Sequence, residues 1–399
     1  MFGGYFLTKL KLSLSIGTLL VTFSVAFLGA LIRPDKTEDA NEQMISLAQL
    51  PPFSKVNFLK IKKNKLVDHA PWYDLILGGS QESPYYLVPY SQFTIEGNKI
   101  LLEVQNSSMI QEIKSFFLED VFYSLSDEQS SELRSTGQLY GLQLDVYGDE
   151  ISSNIEEQIA LVKSENLLTR NYILGSDPFG RDMLSRMMAG SYVTLLVGVS
   201  SVLIALFIGL FIGVVAGYFG GFLDRVLLWL MNVFWSVPAI LLVISIALIF
   251  GQGVMSLVLG IGLILWVEMA QVIRNEVSNL SQKEYVKAAR LMGLSDFRIL
   301  YHHILPNLTG VILVLAVGNF AQAILLEAGL NFLGVGITLP SPSWGGMVRE
   351  LYGFLITDGA FMALIPCVSI VVLVSCAVIL SSELKRQFNL KQGLTYKRG

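Results

Sequence analysis

Few side chains in this sequence could do chemistry, and two acids stand out by their surroundings. Glu268 and Glu327 lie in or beside long apolar stretches, and ionisable groups in such places mark transport paths, proton relays or structural pairs. Each is a candidate for substrate contact or coupling, and Glu327 has the simpler alternative of orienting the chain after it. His302 and His303 are adjacent, about 100° apart on a helix, and His69 completes the histidines. Zinc wants three or four well-placed ligands, so no metal site is expected. Cys367 and Cys376 are nine residues apart and fall on nearly opposite faces of a helix, so they do not bridge each other. No G-x-x-x-x-G-K-[ST] phosphate loop occurs, so no nucleotide or other cofactor is expected in this chain. With no catalytic constellation either, the reading is a non-enzyme.

The elements that must carry these residues are apolar. The 399 residues are 53% hydrophobic and 15% charged, against about 25% charged in ordinary globular proteins, and mean hydropathy is +0.57. Uncharged runs cover Leu12–Ile32, Gly190–Leu223, Val226–Val267, Ile304–Leu326 and Gly359–Ser382. A spanning helix needs about 20 apolar residues, and the run of 42 from Val226 to Val267 is long enough for two. The expectation is an all-α polytopic membrane protein with six transmembrane helices. Lys9 and Lys11 precede the first run, which is too long for a signal-peptide core and reads as an uncleaved anchor.

Charge is divided unevenly. Between Arg33 and Arg170 there are 21 Asp+Glu and 12 Lys+Arg, while the remainder holds 11 acids and 16 bases. An acidic hydrophilic block is thus inserted after the first helix into a mildly basic membrane body, with no clustered basic patch for nucleic acid. Short loops rich in Lys/Arg stay in the cytoplasm. Five bases in Arg274–His303 and five in the tail after the last span, against Arg349 alone in Ala328–Asp358, place both termini inside and the block outside. Within the block, Phe93–Leu102 reads as a hairpin turning at Gly97-Asn98. Ser107-Ser108 could cap a helix through Met109, Ile113, Phe116, Phe117 and Val121. Ser126-Asp127-Glu128-Gln129 resembles a capping box, and Ile151–Leu168 a third helix. The block is therefore expected to be a small α+β insert.

Two further segments are informative. In Leu174–Arg186, Asp177 before Pro178 suits a helix start. Met183, Leu184, Met187 and Met188 share a face away from Arg181 and Arg186, as a short interfacial helix requires. In Glu284–Pro306, Tyr285, Ala288, Ala289 and Met292 share a face, with Lys287 and Arg290 off it. Gly293 permits a left-handed exit, Ser295 can cap a second short helix, and Pro306 follows Leu305 where the next span begins. Such a helix–Gly–helix unit fits a partner's groove or the bilayer surface.

Glu284-Tyr285-Val286-Lys287-Ala288-Ala289-Arg290-Leu291-Met292-Gly293, followed by His303-Ile304-Leu305-Pro306, resembles the EAA loop of bacterial ABC importer permeases. The Leu174–Arg186 segment, with Gly175, Asp177, Gly180, Arg181, Asp182 and Arg186, resembles the segment before the permease core in the dipeptide/oligopeptide (DppC/OppC-like) branch. So does Ile324–Gly336, with Glu327, Phe332 and Gly334, together with Trp344 and Gly345 in Pro340–Gly345. The three occur in order over about residues 172–382. Two features depart from the pattern. Lys287 stands where the first residue of the EAA triplet is normally acidic, and Ser381–Gln387 replaces the usual Gly-Asp and Arg-Asp tail elements.

The resemblance implies a permease subunit forming half of a translocation path for peptides, in the bacterial inner membrane. A second homologous permease would line the other half, and an extracytoplasmic binding protein would deliver substrate. Two ATPase subunits, holding ATP and Mg, would each receive one coupling helix. It implies domains at 1–33 (cytoplasmic start and first helix), 34–170 (insert), 171–385 (five-helix core with coupling loop 276–306) and 386–399 (tail). Members of the branch also carry nickel complexes or other small solutes, which is one alternative. An ion-coupled secondary transporter is another, although the inverted repeats and broken midplane helices it wants are not evident.

Overall fold

The computed structural model describes residues 2–67, 82–105, 111–139, 144–151, 154–357 and 359–396. The chain folds as two compact units: Met1–Ala26, Gly190–Leu355 and Ala363–Gly399 in one, Phe27–Ala189 and Ile356–Met362 in the other.

The first helix, α1 (Phe2–Ile32), carries the first apolar run. The insert follows, with strands β1 (Ser54–Lys62), β2 (Tyr85–Tyr90), β3 (Gln92–Glu96), β4 (Lys99–Gln105) and β5 (Gln111–Phe117). Short helices α2 (Leu118–Phe122), α3 (Asp127–Thr136) and α4 (Ile155–Leu161) come next, then β6 (Leu167–Tyr172). Two antiparallel three-stranded sheets result, ordered β2-β1-β6 and β3-β4-β5. Alternation explains the core: Ile100, Leu102 and Val104 of β4 point inward and pack with Leu59, Ile61, Leu118, Val121 and Val162.

The hairpin forms as the turn chemistry predicts, with Glu96 opposite Lys99 and Gly97 at φ +60°. The capping box forms too, Ser126 Oγ accepting from Gln129 N–H and Gln129 Oε1 from Ser126 N–H. Two expectations are corrected. Residues 111–117 are a strand, not a helix, because they pair with β4 from Gln105–Gln111 to Lys99–Phe117 and satisfy an edge a helix would leave open. The expected cap at Ser107-Ser108 lies outside the described residues. The expected helix over 151–168 is confined to α4 and a following π-turn, Val162–Asn166, before the chain enters β6.

The remaining helices are α5 (Met183–Phe219), α6 (Gly221–Ser236), α7 (Ala239–Phe250), α8 (Val254–Ser281), α9 (Glu284–Leu291), α10 (Asp296–Ile299), α11 (Leu305–Phe332), α12 (Trp344–Leu351) and α13 (Ala360–Tyr396). Among the described residues five helices are long and apolar enough to cross a membrane, and a sixth stretch, α6 with α7, is bent by 85°. The bend falls at Val237-Pro238, where proline begins α7. It removes a backbone donor that a continuous helix would use. α8 is the central helix, with 67% of its most apolar window buried against 39% or less for the others. Gly209, Gly213 and Gly217 of α5 lie against it: a Cβ at Gly217 would sit 2.4 Å from Arg274 O and one at Gly213 2.7 Å from Ala270 O. This small-residue stripe lets two backbones approach as apolar side chains would not. α13 runs on beyond residue 385 to Tyr396.

Candidate functional site

The loop between α8 and α11 is built from two short helices turned on a glycine. α9 ends at Leu291, and Gly293 takes φ +79° with nothing within 4 Å of where its Cβ would be. Backbone conformation, not crowding, therefore demands glycine there. Ser295 precedes α10 without a side-chain cap, so the expected capping bond is not made. A π-turn, Leu300–Ile304, leads into α11 with Pro306 in its first turn.

Val286, Ala289, Ile299 and Ile304 bury themselves in the core that α8 organises. Tyr285, Ala288 and Met292 face outward with Leu291, Phe297 and Tyr301; Leu291 is 90% exposed, Met292 74% and Phe297 78%. Ala289, expected on the same face as Tyr285 and Met292, is turned into the core instead, because it lies three residues after Val286 on the inner face of the helix. Glu284 and Lys287 are exposed at the surface, and Leu305 is half-buried.

Polar contacts hold this loop to the helix ends beside it. Tyr218 Oη donates to Asp296 Oδ1 at 2.6 Å, and the Arg290 guanidinium lies 5.3 Å from the Tyr218 ring centre. Arg274 Nε and Nη2 grip both oxygens of Asp224, the former at 2.6 Å. Sequence reasoning missed both braces. Arg274, nine residues before the next basic residue, Lys283, was the available signal.

Glu327 is fully buried in α11. Its Oε1 accepts from Asn331 Nδ2, which also reaches Ser343 Oγ at 3.1 Å, while Asn331 Oδ1 accepts from Ile337 N–H at 2.6 Å. Ser343 caps α12 through Gly346 N–H, and Trp344 N–H donates to Thr194 of α5. The motif residues thus clasp the connection from α11 to α12. Gly345 lies so near Ala328 that its Cβ would be 2.5 Å from Cα, Gly334 abuts the Arg349 guanidinium, and Phe332 meets Tyr352 edge-on at 5.8 Å. Beyond Glu327, α11 stays helical to Phe332. Asn331, Ser343 and Thr194 were missed, though a serine before Trp-Gly-Gly carries a cap signal.

In the other unit, Asp177 is buried and accepts from the N–H groups of Phe179 and Arg181 and from Arg186 Nη1 at 2.8 Å, with Arg181 Nε on the same carboxylate. It does not start a helix. Gly180 takes φ +74° against Met44 O, and Asp182 caps α5 by accepting from Ser185 N–H at 2.9 Å. Burial raises the Asp182 carboxyl, with the Ser185 bonds opposing it. Gly175 backs onto Leu50 O. The expected short interfacial helix is therefore replaced by a buried ion cluster and a long helix. Arg181 and Arg186, read as off-face surface residues, pair inward because a buried carboxylate demands cations.

Comparison with known proteins gives a consistent picture. The family model described as "Binding-protein-dependent transport system inner membrane component" matches residues 209–386. The chain is 38% identical to the oligopeptide transport system permease protein OppC of Escherichia coli K12 over 191 residues, 48% of this chain and 63% of that protein. It is 29% identical to the dipeptide transport system permease protein DppC of Lactococcus lactis subsp. cremoris over 243 residues, 61% of this chain and 71% of that protein. The chain thus spans about three-fifths of the length of the OppC relative. An inward-facing structure of the MetNI methionine ABC transporter aligns over 50% of this chain and 94% of its own, with 21% identity and a TM-score of 0.41, too low to bear on helix arrangement.

Proposed function

Because residues 209–386 carry the domain of the binding-protein-dependent transport system inner membrane components, we propose that this chain is the permease subunit of an ATP-driven ABC importer of di- or oligopeptides. The observation that carries the reading is the loop Glu284–Ile304. Its inner side is anchored in the core through Val286, Ala289 and Ile299, while its outer side shows Leu291, Met292 and Phe297 to solvent. A bare apolar face on a firmly held short helix suits insertion into a partner's groove. Firm anchoring means that a push on α9 moves α8 and α11.

In this reading two ATPase subunits bind ATP and Mg and each takes one coupling helix. A second, similar permease lines the opposite half of the path, and an extracytoplasmic binding protein delivers the peptide. The protein lies in the bacterial inner membrane with six spans, the bent α6–α7 pair counting as one. Short-loop Lys/Arg bias supports termini inside and the insert outside.

The test is co-purification of ATPase subunits from native membranes. Wild type should bring them down, and Leu291→Glu with Met292→Glu should lose them while the permease remains folded in detergent. Gly293→Asp should do the same by straining the turn. No ATPase with any form, the protein intact, would sink the importer reading.

A further inference from the structure

A cavity of ≈ 330 Å³ lies where α6 breaks into α7, closed on one side by α8 and reached by Gln322 of α11. Its wall is apolar and aromatic, with Phe234, Trp235 and Leu242, and Glu268 is the acid that lines it. Leu263, Ile264, Val267 and Glu268 of α8 all face it, the i, i+1, i+4, i+5 set that forms one helical stripe. Glu268 is 14 residues into the 28-residue α8, about 21 Å along it, and its side chain is exposed at the cavity wall.

Its charge finds no counterpart on its own helix. Arg274, the basic residue of α8, is held at both ends of its fork by Asp224. Among the described residues, no Lys, Arg or His lines the cavity. The helix break adds nothing of either sign on balance, since the C-terminal end of α6 and the N-terminal end of α7 both adjoin it and their dipole charges of about −0.5 and +0.5 oppose each other. What remains is one carboxyl group, one amide and aromatic faces, which together attract a cation and repel an anion.

Resting on the peptide-importer reading, we propose that the Glu268–Gln322 cavity is a specificity-determining point of the translocation path, where a basic side chain, Lys or Arg, of a passing peptide is received. Glu268 pairs with the cation, Trp235 and Phe234 offer ring faces to its alkyl stem and charge, and Gln322 supplies a neutral hydrogen-bonding partner. A tenfold preference in rate or affinity corresponds to about 1.4 kcal/mol.

The experiment uses the assembled importer in proteoliposomes, with radiolabelled Ala-Ala-Lys-Ala-Ala and its Nε-acetyl form. The two peptides share a free N-terminus and differ by one positive charge. In wild type the lysine peptide should enter about tenfold faster than the acetylated one. Glu268→Gln should lower the ratio of the two rates about tenfold, and Glu268→Asp should restore most of it. An unchanged ratio in Glu268→Gln would overturn the proposal and place charge selection in the binding protein. An equal loss for both peptides would overturn it in favour of a structural role. If wild type takes up neither peptide while its ATPases co-purify and hydrolyse ATP, the peptide reading itself falls and this proposal with it.

Discussion

Asp145 in the insert shows how much one side chain can organise. Its side chain is fully buried, and it accepts from Lys62 Nζ at 3.0 Å, from the N–H groups of Tyr147 and Asp149 at 2.9 Å each, and from Ser124 N–H. Burial alone would raise its carboxyl, but the Asp149 N–H, Lys62 and the Ser124 N–H together hold it below the usual carboxylate range. A folded-state value below the unfolded one means that the stabilisation is present above the ordinary value of about 3.9 and is lost as pH falls through the depressed one. Asp145→Asn should therefore cost the insert about 2–3 kcal/mol at pH 7 and flatten its acid dependence. Hydrogen exchange of the β1 and β6 amides, followed from pH 7 to pH 3 in detergent, reads both effects; identical protection in the two forms would refute the assignment. None of this was legible beforehand. Lys62 and Asp145 are 83 positions apart, and no local pattern joins them. The same holds for Asp177, whose position before a proline imitated a helix start while its fate was set by two arginines that fold back on it.

At the scale of elements, sequence was informative wherever a local rule acted alone. Five apolar runs became spanning-length helices, the Gly97 turn became a two-residue hairpin loop, and Ser126 became a capping box. It failed where a neighbour decided: residues 111–117 have apolar spacing that suits a helix, yet β4 needed a second partner. The α5–α8 contact was also hidden, because Gly209, Gly213 and Gly217 gain meaning only from the helix that faces them. Their role yields a prediction. Gly217→Ala places a methyl group 2.4 Å from Arg274 O and 2.9 Å from Val277 Cβ, so α5 and α8 must separate. That costs about 1–3 kcal/mol and should lower the melting temperature in detergent. Gly329→Ala, whose added methyl meets nothing within 4 Å, should leave it unchanged or raise it. Equal behaviour of the two would remove the close-packing argument.

For the whole molecule, the question is what the insert adds to a membrane body, the chain being similar to a shorter permease over 48% of its length. Its attachment gives a clean way to ask. Ser54 and Tyr172 are paired neighbours at the base of β1 and β6, about 5 Å apart as antiparallel partners must be, so residues 55–171 can be replaced by two glycines without pulling the ends. What lies below that line keeps its own backbone bonds, Gln49 N–H to Asp177 O, Leu50 N–H to Ser176 Oγ and Met44 N–H to Phe179 O, while Leu47, Leu50 and Tyr172 lose the packing of Phe58, Val56 and Leu87. Among the described residues, the ion pair that the deletion breaks across this line is that of Glu42 with Arg170 at 3.0 Å; the Glu42 carboxyl is raised chiefly by burial, with Arg170 opposing. Glu42→Gln should accompany the deletion to avoid a stranded buried acid. If the insert receives the substrate-binding protein on the outer side, as its size and acidic surface suggest, the shortened chain should still co-purify ATPase subunits. Its binding-protein-dependent uptake should fall at least tenfold, and ATP hydrolysis should no longer respond to the loaded binding protein. Uptake at the wild-type rate would show instead that the insert is dispensable for transport. Loss of ATPase co-purification would show that it is needed to build the permease at all. The three outcomes separate a docking module, a passenger domain and a folding element by measurements on the same preparation.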